Sequence, residues 1–335
     1  MAPLSVQCLI DTFSLDALNG DCVAAERTAR SLVSAQPHAI LPLFQLAQAL
    51  LGRGAALEAV QTTLAQRWSA APEEQRELLR LQDETLLDAH RGDFEAAVRH
   101  GQEWLARVAS ATDEEQHHTA TQTLTSILAE VGDFDGVDRI AIDFSKRRDA
   151  WQRSGYFDYS IVPWSLRYRA HKIPRAEFVA HRDDWLEREA ARPPLVAAQG
   201  MRWVMAFADA TVTTDDAAEA IARLPSYLPM LDPLTRTPEY DTAIGLTFLQ
   251  GGEVDRAIGY LRRAATSCWT LEQPVAQVVA NLRLGQALER QGRVADACTA
   301  YDVVLARWGH AAGSTTARAA RTRAKALHCP PPAAP

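Results

Sequence analysis

The sequence predicts an all-α solenoid of about eight antiparallel helix pairs, closed by a C-terminal capping helix. Three observations carry this expectation. A short turn recurs as Gly92-Asp93-Phe94, Gly132-Asp133-Phe134, Gly252-Glu253-Val254 and Gly292-Arg293-Val294, with weaker versions at Gly20-Asp21-Cys22 and Gly54. Gly92 and Gly132 are 40 residues apart, as are Gly252 and Gly292, and self-similarity at such a period marks a helical array. Each turn is followed by the same apolar offsets: Phe94, Ala97, Val98, Gly101, Trp104 and Leu105, then the matching sets from Val254 and Val294. Seventeen of these eighteen positions are hydrophobic and the other is glycine. They fall on one face of a 3.6-residue helix. Finally, the one β-branched run, Thr211-Val212-Thr213-Thr214, sits where a turn is due.

In chain order, the first pair spans 4–18 and 22–36 around Gly20. The second spans 39–52 and 55–69, its first helix carrying Leu46-Ala47 and then Leu50. The third (72–91, 93–109) and fourth (112–131, 134–147) flank Gly92 and Gly132. In each, glycine supplies the left-handed residue that ends one helix, and the acidic residue after it suits the next helix's N-terminus. Spacing alone places the fifth pair (157–171, 174–191) and the sixth (195–210, 215–224), with degenerate turns near Lys172 and Thr213. The seventh (237–250, 253–269) carries Ile244-Gly245 and Phe248, and the eighth (273–291, 293–309) carries Leu284-Gly285 and Leu288. A helix at 315–327 covers the last apolar face, as an array requires. Residues 1–328 form one solenoid, with a hinge at the proline-rich 225–238 and a disordered Pro-rich tail at 329–335.

This large–small–large motif, then glycine, then Ala and an aromatic, resembles the tetratricopeptide repeat. The segment 254–309, with the TTARAARTRAKAL after it, also resembles the C-terminal helical-repeat region of bacterial multidomain serine/threonine protein kinases. That resemblance implies partner recruitment or regulation of a separate catalytic domain. The kinase domain itself is missing. His181-Arg182-Asp183 spells a catalytic-loop triplet, but the Asn expected five residues after the Asp is Arg188, so the triplet reads as a helix-surface coincidence.

Composition narrows the function. Net charge is −7, with 32 Arg against three Lys, and such an acidic balance argues against a nucleic-acid binder. No uncharged run suits a membrane span. Five cysteines, widely spaced and without a CxxC, indicate neither a disulfide framework nor a zinc site and suit a reducing cytoplasm. Cys268 and Cys298 are expected on the buried stripes of neighbouring second helices as small hydrophobes, with a redox pair between the two as the alternative. His117-His118 follows Glu114-Glu115, but adjacent helical side chains point about 100° apart, so a solvated face is expected rather than a metal site. No nucleotide, cofactor or hydrolase motif is present. After Asp302 the chain is basic only (Arg307, Arg318, Arg321, Arg323, Lys325), which suits an exposed capping-helix face.

Residues 151–168 hold six of the 24 aromatics. Core filling is one explanation; a recognition surface is the other, since aromatics and arginine dominate binding hot spots. Trp151, Tyr156, Tyr159, Trp164, Arg167 and Tyr168 are the candidate partner-binding residues. The expected function is a non-catalytic scaffold or regulatory adaptor holding a protein or peptide partner in a concave groove. The alternative is a small-molecule-sensing module of a kinase or transcription-regulator system.

Overall fold

The computed structural model describes residues 5–109, 114–146, 158–191, 196–227 and 237–330, and among these there are seventeen α-helices and no strand. The helices pair as α1 (Val6–Leu18) with α2 (Cys22–Ala35), α3 (Ile40–Gly52) with α4 (Leu57–Ala70), α5 (Glu73–Arg91) with α6 (Phe94–Ala109), and α7 (Glu114–Glu130) with α8 (Phe134–Ser145). After a 3₁₀ turn at Tyr159–Ile161 come α9 (Val162–Arg169) and α10 (Arg175–Ala190). Helix α11 (Val196–Trp203) continues as a π-helical stretch, Val204–Ala208, and precedes α12 (Thr214–Arg223). The last pairs are α13 (Pro238–Gln250) with α14 (Val254–Thr266) and α15 (Pro274–Arg290) with α16 (Val294–Trp308), capped by α17 (Thr315–Ala326). The chain is an all-α solenoid.

The expected turns have the expected backbone. Gly92 has φ +79°, its N–H bonds to Ala89 O, and Asp93 N–H bonds to Asp88 O, which satisfies carbonyls that a helix end leaves free. The same positive φ recurs at the other five anchors and at His171, one residue before the position that spacing chose. The next helix is then capped by a side chain where the sequence supplies one: Asp21 accepts from Ala24 N–H, and Asp133 from Gly136 N–H.

First and second helices of a pair are buried differently. In α6 the buried residues Phe94, Ala97, Gly101, Trp104 and Val108 form one stripe. In α3 every residue from Pro42 to Leu50 is buried, as a helix enclosed on all sides must be. The small positions act as spacers. A methyl group at Gly245 would stand 2.6 Å from Leu261 Cγ, and one at Gly285 would collide with the Tyr301 ring. Of the eighteen stripe positions only Val294 is exposed.

The array returns on itself. Beyond α14, Cys268 N–H donates to Ala17 O at 2.9 Å, and Glu272 N–H donates to Gln48 Oε1 at 2.9 Å. Trp308 of α16 donates from Nε1 to Ala89 O at 3.1 Å and meets Phe94 edge-on at 5.0 Å. At the start of α17, Ser314 Oγ, Thr316 N and Thr316 Oγ1 donate to buried Glu130 at 2.5, 2.9 and 2.6 Å. Pair seven thus meets pairs one and two, pair eight meets pair three, and the cap meets pair four.

This closure overturns the cysteine expectation. Cys268 lies past α14 and is disulfide-bonded to Cys22 (Cα–Cα 5.5 Å), while Cys298 is bonded to Cys329 (Cα–Cα 5.4 Å). Wide spacing, 246 residues for the first bond, does not separate cysteines when the array brings its ends together. With four of five cysteines paired, the cysteine argument for a reducing compartment loses its ground. Among the described residues no helix is long and apolar enough to cross a membrane. Much of the expected hinge at 225–238 and most of the tail lie outside the described residues.

Candidate functional site

Helix α9 stands at the centre of the site. It is short because Pro163 opens it and His171 ends it in the left-handed conformation. Trp164 lies parallel to His181 of α10, ring centroids 3.3 Å apart, and the Arg167 guanidinium stands 5.6 Å from the Trp164 ring. Arg167 Nε also donates to Asp138 of α8 at 2.7 Å. Trp164 and His181 border a cavity of about 150 Å³ whose wall includes Asp184 and Arg188. Tyr159 is half-buried and stacks on His118 at 3.8 Å.

Tyr168 is placed differently. It is buried, stacks on Phe178 at 5.1 Å and donates its hydroxyl to Asp216 Oδ2 at 2.8 Å. Burial and the Asp216 carboxylate push the phenol up to about 12. Burial alone would raise Asp216, but hydrogen bonds from Arg175, Thr213 and Tyr168 hold it below the usual carboxylate value. Trp151 and Tyr156 lie outside the described residues.

The opposite side of α9 lines a second cavity, of about 190 Å³, which sequence reasoning missed. Its apolar wall includes Phe134, Val137, Val162 and Leu166; its polar end holds Gln122, Arg169, Asp209 and Glu239. Arg169 donates to Asp209 Oδ1 at 2.8 Å and Ser165 Oγ to Asp209 Oδ2 at 3.1 Å. Burial, with the Asp209 carboxylate adding to it and Arg169 opposing, pushes the Glu239 carboxyl up to about 7. These polar residues come from four different helix pairs, one from each, so no local spacing advertises them. The π-helical stretch ends in the bond Asp209 N–H to Val204 O; the extra residue in that turn re-aims the side chains after it.

Two other expectations are corrected. His117 and His118 are not solvated: both are buried, their rings against Phe144 and Tyr159. Both directions, 100° apart, lead inward because α8 brings Phe144 against one ring and the 3₁₀ turn brings Tyr159 against the other, while Glu115, Gln116 and Thr119 take the exposed side of α7. Burial, with His117 beside it, lowers the His118 pKa to about 3. In His181-Arg182-Asp183, Arg182 is buried rather than on the surface. It donates to Glu219 of α12 at 2.7 Å and lies 4.7 Å over the Phe207 ring, tying pair five to pair six.

Comparison with known proteins bears on one helix pair. No curated protein sequence matches the chain. Among solved structures it is similar to the TPR domain of P58(IPK), at 14% identity and a TM-score of 0.30, over 96% of this chain and 98% of that one. It is also similar to yeast Tom70, at 11% identity and a TM-score of 0.23, over 97% of this chain and 89% of that one. Residues 279–310, which run from within α15 to just past α16, match the family model of the tetratricopeptide repeat. The chain is an all-α helical-repeat protein whose eighth helix pair is similar in sequence to a tetratricopeptide repeat.

Proposed function

We propose that the protein is a non-catalytic scaffold that holds a protein or peptide partner on the concave side of its helical array and along α9. One observation carries the reading: α9 borders an open cavity on each side, while the first helices of pairs two and eight are enclosed by the chain itself. Trp164 and Arg167 supply the aromatic and guanidinium groups that hot spots favour, with Tyr159 beside them and Trp151 and Tyr156 close in sequence. Tyr168 supports the surface from inside. The likeness of residues 254–309 to kinase-borne repeats supports a regulatory partner.

The test uses the full chain as bait in extract from its own source. Trp164→Ala should lower capture of a stoichiometric partner by roughly 30-fold, a hot-spot loss of about 2 kcal/mol, with melting almost unchanged. A variant that melts early and shows no specific capture defect would return Trp164 to a packing role.

A further inference from the structure

We propose that the cavity between α7, α9 and the start of α13 is a socket for one lysine side chain of the partner. The lysine's source rests on the partner-binding reading above; recognition of the ammonium stands on the cavity alone.

The hydroxyl donors around the cavity are already used, and the Arg169 guanidinium is turned to Asp209 through one of its N–H groups. Thr125 Oγ1 donates to Thr121 O at 2.7 Å and Ser126 Oγ to Thr123 O at 2.7 Å, so both hydroxyls on the α7 wall have spent their protons on their own helix. Ser165 and Arg169 both donate to Asp209. The polar end still offers acceptors: the Glu239 carboxylate, which has no side-chain hydrogen bond among the described residues, the remaining lone pairs of Asp209, and the hydroxyl oxygens. Gln122 can present its amide oxygen or its amide N–H groups. A group that donates three hydrogen bonds and accepts none matches such a lining, and that is an ammonium.

Charge and size agree. Arg169 is paired with Asp209. The buried Glu239 carboxyl, about half ionised near pH 7, takes its full negative charge when an ammonium sits beside it, so the pair is neutral once the ligand is bound. About 190 Å³ lies below the roughly 300–1,000 Å³ of sites for drug-sized ligands, so one side chain fits better than a nucleotide or an organic cofactor. Val162, Leu166 and Phe134 form an apolar flank along which a methylene stem packs while its charged tip reaches the carboxylates. Phe134 is 39% exposed, which leaves that flank uncovered by the chain itself.

The experiment titrates the full-length protein with N-acetyl-lysine methylamide and follows backbone amide resonances. The controls are the Nε-acetylated compound, the corresponding glutamate compound and free 1,4-diaminobutane. Saturable shifts confined to residues around 122–126, 166–170, 209 and 239 are expected, about tenfold weaker for the Nε-acetylated compound and absent for glutamate. Glu239→Gln should weaken the lysine compound at least tenfold, with resonances elsewhere unmoved, and Glu239→Asp should retain part of the binding. Equal binding of lysine and Nε-acetyl-lysine would overturn the proposal, as would no effect of Glu239→Gln. Much tighter binding of the free diamine would assign the socket to a metabolite instead of a partner's lysine. Failure here with normal partner capture through Trp164 leaves the scaffold reading standing; the reverse outcome removes that reading and keeps an ammonium site.

Discussion

Trp164 and Tyr168 sit one helical turn apart on α9 and share a helix face, yet they meet different neighbours. Phe178 and the Asp216 carboxylate stand opposite Tyr168, whereas Trp164 is only partly buried, with the parallel His181 ring and the Arg167 guanidinium against it. Removing the Tyr168 hydroxyl should therefore cost about 1.5–3 kcal/mol, the range for a hydrogen bond to a charged group; denaturant unfolding of Tyr168→Phe measures it. Aromatic density drew attention to the right helix. It could not say which rings turn inward, because that depends on residues 10 to 48 positions away. His118 gives a pH test. Its folded pKa of about 3 lies below its ordinary 6.5, so its contribution is complete above pH 6.5 and is lost as pH falls toward 3. Near pH 5 the loss should reach about 2 kcal/mol. His118→Phe keeps a ring against Tyr159 and should show a correspondingly smaller drop in stability between pH 7.5 and 5.0. An identical drop in both proteins would exclude the buried imidazole as its source.

At the scale of the element, helix boundaries were the most legible feature. The helices of pairs one to four and of seven and eight begin and end within about three residues of the spacing-based expectation, because glycine turns, caps and apolar stripes all mark the same boundaries. The fifth and sixth pairs were less legible. The chain there uses His171 where the other turns use glycine, and it inserts a π-helical stretch that no periodic template contains. Ala297 tests the close packing of pair eight, since it is fully buried. Ala297→Arg must overfill that crossing, at about 1–3 kcal/mol, and also bury a charge. In a repeat array such damage stays near its neighbours. Hydrogen exchange should therefore quicken first over residues 274–308 and their neighbours, and least over α9 and α10, which do not pack against pair eight. A uniform increase would mean that the closed array unfolds as one unit.

At the scale of the whole molecule, closure decides the shape. The accessible surface, 15,653 Å², is about 15% above the ~13,600 Å² expected of a compact monomer of this mass, so scattering should report a tightly curved particle rather than a rod. Closure was not legible in the sequence. Its contacts join residues about 180 to 250 apart, such as Glu130 with Ser314 and Ala17 with Cys268, and no local pattern encodes them. For the same reason the cysteines read as unpaired, and the inner cavity, assembled from four pairs, went unseen. The intact oxidised chain should weigh four hydrogens less than the reduced one. Reducing the Cys22–Cys268 bond should cost up to about 5 kcal/mol by loop-closure entropy, measured by unfolding Cys22→Ser against the parent. No change in stability would mean that the noncovalent seam already holds the ends together.

The Cys22–Cys268 bond also sets how the molecule carries load. A chain pulled by its two ends transmits force only through residues on the shortest covalent path. Here that path crosses from residue 22 to 268 and again from 298 to 329. About 60 residues can then be drawn straight, to roughly 200 Å, against the 1,200 Å or so of the unbridged chain. Helix α2, pairs two to seven and the stretch from 298 to 329 are bypassed, whereas α1 and α15 lie on the path. A tether attached at both termini would feel a short, stiff strap, while the lining of the inner cavity bore no tension.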